Sequence, residues 1–264
     1  MVMTRTDSSL SPTITATNFE NSLHTAMLDA GFTLWYSYTA SGQNRRIYRE
    51  VFNSSTYGTA FYEIRINTTT RDFSVAAYVS FNTTTNTGTG AITGTTFTPT
   101  TGDAINYTAL NGGSEFRLVL IRQAGTLAVV GQIRPSLNKP SWWNEDNYPY
   151  VWYIMYLTSN QWNNLQTVGG ASLSPWNYNT SSVIVPRAIR GTVPGGQREI
   201  SNAVELGSTA SFPPAGTCGV FSNDIAQSST EGLVPGVDVL VVTPGTEEYL
   251  VIQAASGGLV VRTV

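Results

Sequence analysis

Residues 17–39 read TNFENSLHTAMLDAGFTLWYSYT, and inside this stretch the apolar period changes from helical to extended. Before Gly31, the residues Phe19, Leu23, Ala26, Met27 and Ala30 fall at i, i+4, i+7, i+8 and i+11, one stripe of an α-helix. Thr17 and Glu20 stand in the S/T-x-x-E spacing of a capping box, and Gly31 suits the position just past the helix end. His24 sits beside the stripe, a boundary residue. After Gly31, residues 32–39 (FTLWYSYT) are aromatic and rich in strand formers. Ser41-Gly42-Gln43 is a turn, and 46–52 (RIYREVF) alternates, with Ile47, Arg49 and Val51 on one face. Residues 61–66 (FYEIRI) and 73–81 (FSVAAYVSF) continue the pattern across 67–72. Spacings this short predict an antiparallel meander of four strands, one face of it covered by the helix.

Outward from this unit, residues 1–16 are polar and contain Ser11-Pro12, which predicts a flexible or partner-bound arm. Residues 82–101 (NTTTNTGTGAITGTTFTPTT) offer few side chains for a core and predict a long exposed loop or a projecting hairpin. Residues 115–134 predict a hairpin about Ala124-Gly125. From Pro135 the texture changes: 135–180 hold five of the six tryptophans among four prolines, and VWYIMYL (151–157) has the length of a buried strand. Residues 237–242, 248–253 and 259–264 are apolar strands that either close a small barrel or add to a larger sheet. The last of them is expected to be tied down or paired with another subunit. The predicted class is α+β and β-rich: an N-terminal helix packed on an antiparallel meander sheet, followed by a mostly-β C-terminal part. The partition is an arm (1–16), a helix-plus-sheet domain (17–135), an aromatic-rich connecting region (136–200) and a small all-β part (201–264).

Charged residues are 12% of the 264-residue chain, about half the usual share, and Lys139 is the only lysine. Thr, Ser, Asn and Gly supply the polar surface instead, which suits a subunit packed among partners. With a net charge of −3 and no basic run, the electrostatic footprint of a nucleic-acid binder is missing. One cysteine, Cys218, and one histidine, His24, allow neither an internal disulfide nor a Cys/His zinc site, and leave a nucleophile–histidine pair little to draw on. No apolar run approaches the roughly 18 residues of a membrane-spanning helix. The first nine residues lack the apolar core of a secretory signal. No cofactor, metal or catalytic residue is expected.

The densest aromatic block is SWWNEDNYPY (141–150), continued by Trp152. Trp142, Trp143, Tyr148, Tyr150 and Trp152 are the candidate interface anchors, because large rings with a polar handle are favoured at protein interfaces. The same rings would suit sugar stacking, or simply fill a gap against the sheet. Glycoside hydrolysis needs two carboxyls about 5–10 Å apart across a cleft. Adjacent pairs such as Glu145-Asp146 and Glu247-Glu248 point to opposite sides of an extended chain, which argues against it. Arg45, Arg46, Arg49 and Arg65 are expected on a solvated sheet face, paired across strands with Glu50 and Glu63. Asn67-Thr68-Thr69 and Asn82-Thr83-Thr84 fit the N-glycosylation pattern, as composition alone would produce.

Three features carry a resemblance: the F-x-x-x-L-H-T-A-M-L-x-A-G-F helix (19–32) with Tyr57-Gly58 at a later turn, the NTTTNTGT stretch (82–89), and Arg134-Pro135 followed by Lys139-Pro140-Ser141-Trp142-Trp143-Asn144. Over about residues 17–155 the chain resembles virion structural proteins of tailed bacteriophages, especially phages of cyanobacteria. The resemblance implies a non-enzymatic part of the tail machine, a baseplate component or fibre-anchoring adaptor, assembled in the host cytoplasm and located in the virion. The implied partners are copies of itself and other virion proteins, with a host-surface glycan as a further one; neither nucleic acid nor membrane insertion is implied. A head decoration or cement protein and a host-glycan-binding adhesin are the alternative readings.

Overall fold

The computed structural model describes residues 3–51, 59–78, 80–89, 92–93, 96–113, 115–133, 136–137, 152–157, 165–167, 198, 200–201, 205–207, 217–220, 224–242, 245–252 and 258–264. Of these, 51, 59, 92–93, 133, 136–137, 152–157, 165–167, 205–207 and 217–220 are described by backbone alone. Strand β1 (Thr4–Leu10) leads into helix α1 (Ala16–Asp29), followed by β2 (Thr33–Ala40), β3 (Gln43–Val51), β4 (Thr59–Asn67) and β5 (Phe73–Tyr78). Next come β6 (Ser80–Asn82), β7 (Thr87–Thr89), β8 (Ile92–Thr93), β9 (Ile105–Asn111), β10 (Phe116–Gln123), β11 (Thr126–Ile133), β12 (Ser136–Leu137), β13 (Trp152–Leu157) and β14 (Leu165–Thr167). The chain closes with β15 (Ile200–Ser201), β16 (Glu205–Gly207), β17 (Thr217–Val220), β18 (Ile225–Ser228), β19 (Val239–Val241), β20 (Glu248–Val251) and β21 (Gly258–Arg262). The fold is α+β and β-rich, with antiparallel pairing throughout the described strands.

The apolar stripe of α1 is buried as its spacing requires: Phe19, Leu23, Ala26 and Met27 are all closed to solvent. Each of the larger side chains contributes roughly 2 kcal/mol by leaving water. The start of the helix differs from expectation. Thr15, not Thr17, is the N-cap; its Oγ1 accepts from Asn18 N (3.1 Å), and Thr15 N donates to Asn18 Oδ1 (2.7 Å). An asparagine at the third helical position makes the reciprocal bond that a Glu or Gln usually makes, which frees Glu20 for other work. Gly31 ends the helix with φ +88°, and Asn111 lies so close that a Cβ there would meet its side chain at 2.7 Å.

The meander β2–β3–β4–β5 forms as predicted but gains a fifth strand, in the order β2-β3-β4-β5-β8. Its inner face (Tyr48, Ala60, Tyr62, Ile64, Ile66, Phe73, Val75, Ala77) shares one core with α1 and with Tyr107, Ala109, Val119, Ile121, Ala128 and Val130 of a six-stranded sheet ordered β1-β9-β10-β11-β13-β14. Tyr62 OH donates to Gln132 Oε1 (2.6 Å) between the two sheets. The polar segment expected as an arm is β1, paired along its length with β9 from Thr4↔Asn111 to Leu10↔Ile105. Its partner lies about a hundred residues on, so no local pattern announces it; Thr108 Oγ1 donates to Asp7 Oδ1 (2.7 Å) across the pair.

Phe97, inside the stretch expected to contribute little to a core, is buried against Phe19 at 6.3 Å between ring centroids. Gln123 holds the following loop by accepting from Thr100 N (2.9 Å) and donating to the carbonyls of Thr100 and Asp103. The Ala124-Gly125 hairpin and the strand at 152–157 form where predicted. The C-terminal strands make a separate five-stranded sheet, β15-β18-β21-β20-β19. The last strand, β21, is tied down between β18 and β20 of its own chain, and so offers no free edge to another subunit. Gly236, in this C-terminal part, lies against Leu120 and Leu127 on the second face of the six-stranded sheet.

Candidate functional site: an aromatic face built on a buried carboxylate

Alternation places Phe61, Glu63 and Arg65 of β4 on the face turned away from α1. The register sets Ile47 beside Glu63, Arg45 beside Arg65, and Phe61 beside Tyr78. The two-residue turn at Ser41-Gly42 pairs Tyr36 with Ile47 and Tyr38 with Arg45, bringing both tyrosines of β2 to this face. A register shift between Leu34 and Tyr36 leaves Trp35 unpaired, and its ring turns the same way, 5.1 Å from Phe61.

Over this face folds the hairpin β6–β7. Phe81 sits 5.6 Å from Tyr78, 6.2 Å from Tyr38 and 6.4 Å from Trp35, and Tyr36 OH donates to the carbonyl of Thr83 (3.3 Å). Gly88 permits the approach, since a Cβ there would fall 2.1 Å from the Tyr78 ring. The hairpin therefore lies on the sheet rather than projecting from it. Its loop and the β4–β5 loop use one device. Asn82 Oδ1 accepts from Thr84 N and Thr85 N, as Asn67 Oδ1 accepts from Thr69 N and Thr70 N. In both places Asn-Thr-Thr is loop chemistry.

At the centre lies Glu63, 0% exposed. Tyr38 OH (2.5 Å) and Arg45 Nη1 (3.3 Å) donate to Oε1. Tyr78 OH (2.6 Å), Arg65 Nε (2.9 Å) and Arg65 Nη2 (2.7 Å) donate to Oε2. Burial by itself pushes the carboxyl up; the bonds from Tyr38, Tyr78 and Arg65 outweigh it and leave the group below its ordinary value. The tyrosines respond in the opposite sense, pushed up by burial and by their bonds to Glu63. This carboxylate is ionised, saturated with donors and closed to water. It orients rings and guanidinium groups; it has no free lone pair or proton to lend a reaction.

The expectation of a solvated, cross-paired arginine face is corrected here. Arg45 and Arg65 do pair with Glu63, but as part of a half-buried cluster with the aromatic rings, Arg45 lying over Tyr38. Arg46 points to the other face, where its Nε donates to Glu20 Oε1 (2.8 Å), and buried Glu50 pairs with Arg117 of β10. His24, at the helix boundary as expected, is bonded through Nδ1 to Tyr48 OH (2.8 Å); burial first, then the Arg46 charge, hold it below its ordinary value.

What remains open on the face is Trp35 (38% exposed), the exposed Arg49 whose guanidinium lies 5.9 Å from the Trp35 ring, and the partly exposed pair Tyr36–Tyr38, stacked at 5.6 Å and 24°. Flat rings flanked by cationic groups suit a protein surface or a sugar face. The expected anchors Trp142, Trp143, Tyr148 and Tyr150 lie outside the described residues. Trp152 opens β13, with its side chain outside the description. Trp35, Tyr36 and Tyr38 were legible in the sequence as a strand but not as a site. The available signal was the two-residue turn, which fixes both tyrosines opposite Arg45 and Ile47. Among the described residues, no group of three or more His, Cys, Asp or Glu could hold a metal ion, and no helix is long and apolar enough to cross a membrane. No protein-family model matches the chain, and neither does any curated protein.

Proposed function

We propose that this chain is a non-enzymatic structural subunit of a phage tail machine, a baseplate component or fibre-anchoring adaptor, which meets its neighbours through the aromatic face of the five-stranded sheet. The observation that carries the binding part is the Glu63 cluster. Five hydrogen bonds lock Tyr38, Tyr78, Arg45 and Arg65 around one carboxylate, so the rings above are held before any partner arrives. Binding then orders few side chains, which favours affinity. The virion address is supported by the resemblance of residues 17–155. Antibody raised against the chain and applied to purified particles of the encoding phage tests that address. Label at the tail end is expected; label on the head would transfer the chain to the decoration proteins, and particles without label would remove it from the virion.

The second reading, a host-glycan-binding adhesin, is favoured by one observation: Trp35 under the Arg49 guanidinium offers a flat ring beside hydrogen-bond donors. Retention of host polysaccharide by the isolated protein, lost in Trp35→Ala, would favour it over assembly.

A further inference from the structure

The five-stranded sheet ends on β2, and the outer edge of β2 has no partner among the described residues. Open edges are templates for strand addition, and proteins usually blunt them with charge, proline, a bulge or brevity. Other sheet edges here are blunted: β1 carries Arg5 and Asp7, β8 has two residues and β19 three. Strand β2 has eight residues, TLWYSYTA, without a charge or a proline; its register shift at Leu34–Tyr36 lies at the end away from the turn and leaves Tyr36–Ala40 regularly paired, and Thr33, Leu34, Trp35, Ser37 and Thr39 are exposed along it. The turn at Ser41-Gly42 closes on the pair Ala40↔Gln43. Alternation from that pair directs the backbone groups of Tyr36, Tyr38 and Ala40 toward β3 and those of Ser37 and Thr39 outward.

We infer that β2 is a self-pairing edge: two copies of this chain join by antiparallel β2–β2 addition about a two-fold axis at Ser37, merging two five-stranded sheets into one of ten. This rests on the assembly reading above and names its first partner. A second copy is the occupant that fits, for three reasons. An antiparallel pair about a two-fold axis is self-complementary by construction. Because β2 is uncharged, no like charges meet at the seam; the arginines lie one strand inward on β3. Finally, a two-fold at Ser37 sets Tyr36 opposite Tyr38 of the second copy and Tyr38 opposite its Tyr36. The existing Tyr36–Tyr38 stack then meets its copy across the seam, giving a two-by-two cluster of four rings on the aromatic face, one of the cross-strand pairings that stabilise sheets.

The test is sedimentation equilibrium of the full chain from about 1 to about 100 µM, the range of a modest association. Wild type is expected to form a dimer whose fraction rises with concentration. Ser37→Lys sets two ammonium groups face to face at the axis. Ser37→Pro removes an outward N–H without touching the β2–β3 ladder. Each is expected to raise the dimer dissociation constant about tenfold or more, while Thr4→Lys on the β1 edge leaves it unchanged. Far-UV circular dichroism and the melting temperature establish that both variants fold. A wild-type monomer across the range overturns the inference, as does a dimer indifferent to both Ser37 variants. The two proposals fail separately: a Ser37-dependent dimer absent from particles sinks the virion address and keeps the edge, and a labelled tail with a monomeric chain does the reverse.

Discussion

On β4, Ala60, Tyr62, Ile64 and Ile66 point toward α1, and Phe61, Glu63 and Arg65 point away from it. The two faces arise from alternate residues of the same strands, yet they are stabilised differently. The inner face is a conventional core in which area removed from water dominates. The outer face buries an ionised carboxylate and recovers the desolvation cost through five donors, then covers it with rings from β2 and the β6–β7 hairpin. The inner face has one helix and a second sheet to exclude water. Among the described residues the outer face has a short hairpin as its cover, and part of its aromatic surface stays open. A core can be closed by burial alone; a half-covered face needs a polar keystone to fix its rings, and that same incompleteness makes it available to a partner.

Substitutions of comparable size on the two faces sharpen the contrast. Phe19→Ala, which empties a site between Phe73 and Phe97, is expected to cost about 4 kcal/mol in urea unfolding. Glu63→Ala takes the shared carboxylate from two half-buried guanidinium groups and is expected to cost about 3 kcal/mol; an effect under about 1 kcal/mol would mean the cluster behaves as a surface pair. Glu63 also sets a pH signature. Its folded carboxyl lies below the ordinary value, so its stabilisation is complete above about pH 4.5 and is lost as pH falls through the lower, folded value. Stability measured down this acid limb should fall less steeply in Glu63→Gln than in wild type. Gly88→Ala drives a methyl into the Tyr78 ring and is expected to cost about 2 kcal/mol, with increased exposure of Tyr36 and Tyr38 to solvent-borne quenchers. Trp35→Ala removes a ring larger than Phe19 yet is expected to cost only about 1 kcal/mol, since much of that ring is already in water.

The aromatic face shows where legibility stopped. Strand β2 was evident from its composition; its register on β3 was not, because Gln43, which reads as part of the turn, is already paired with Ala40. The burial of Glu63 was not evident, because a charged residue in an alternating strand ordinarily marks the solvated face, and the cover comes from a Thr-rich hairpin whose composition suggested exposure. Phe81, the apolar residue that makes β6–β7 adhere, reads in the sequence as the end of the preceding strand. For Arg46 and Glu50 the error was one of parity: both lie on the inner face, beyond the reach of Glu63, with partners on α1 and β10.

By itself the sequence determined the helix, its buried stripe and its stop at Gly31, the meander, the Ala124-Gly125 hairpin and the three C-terminal strands. All of these depend on periodicity and turn chemistry acting within a few residues. Tertiary structure alone decided that Thr4–Leu10 pairs with β9, that β21 is interior to its sheet, and that Glu63 is sealed under rings. Each of those outcomes depends on which distant segment arrives to satisfy a backbone edge or exclude water, and alternation within one strand carries no record of that partner.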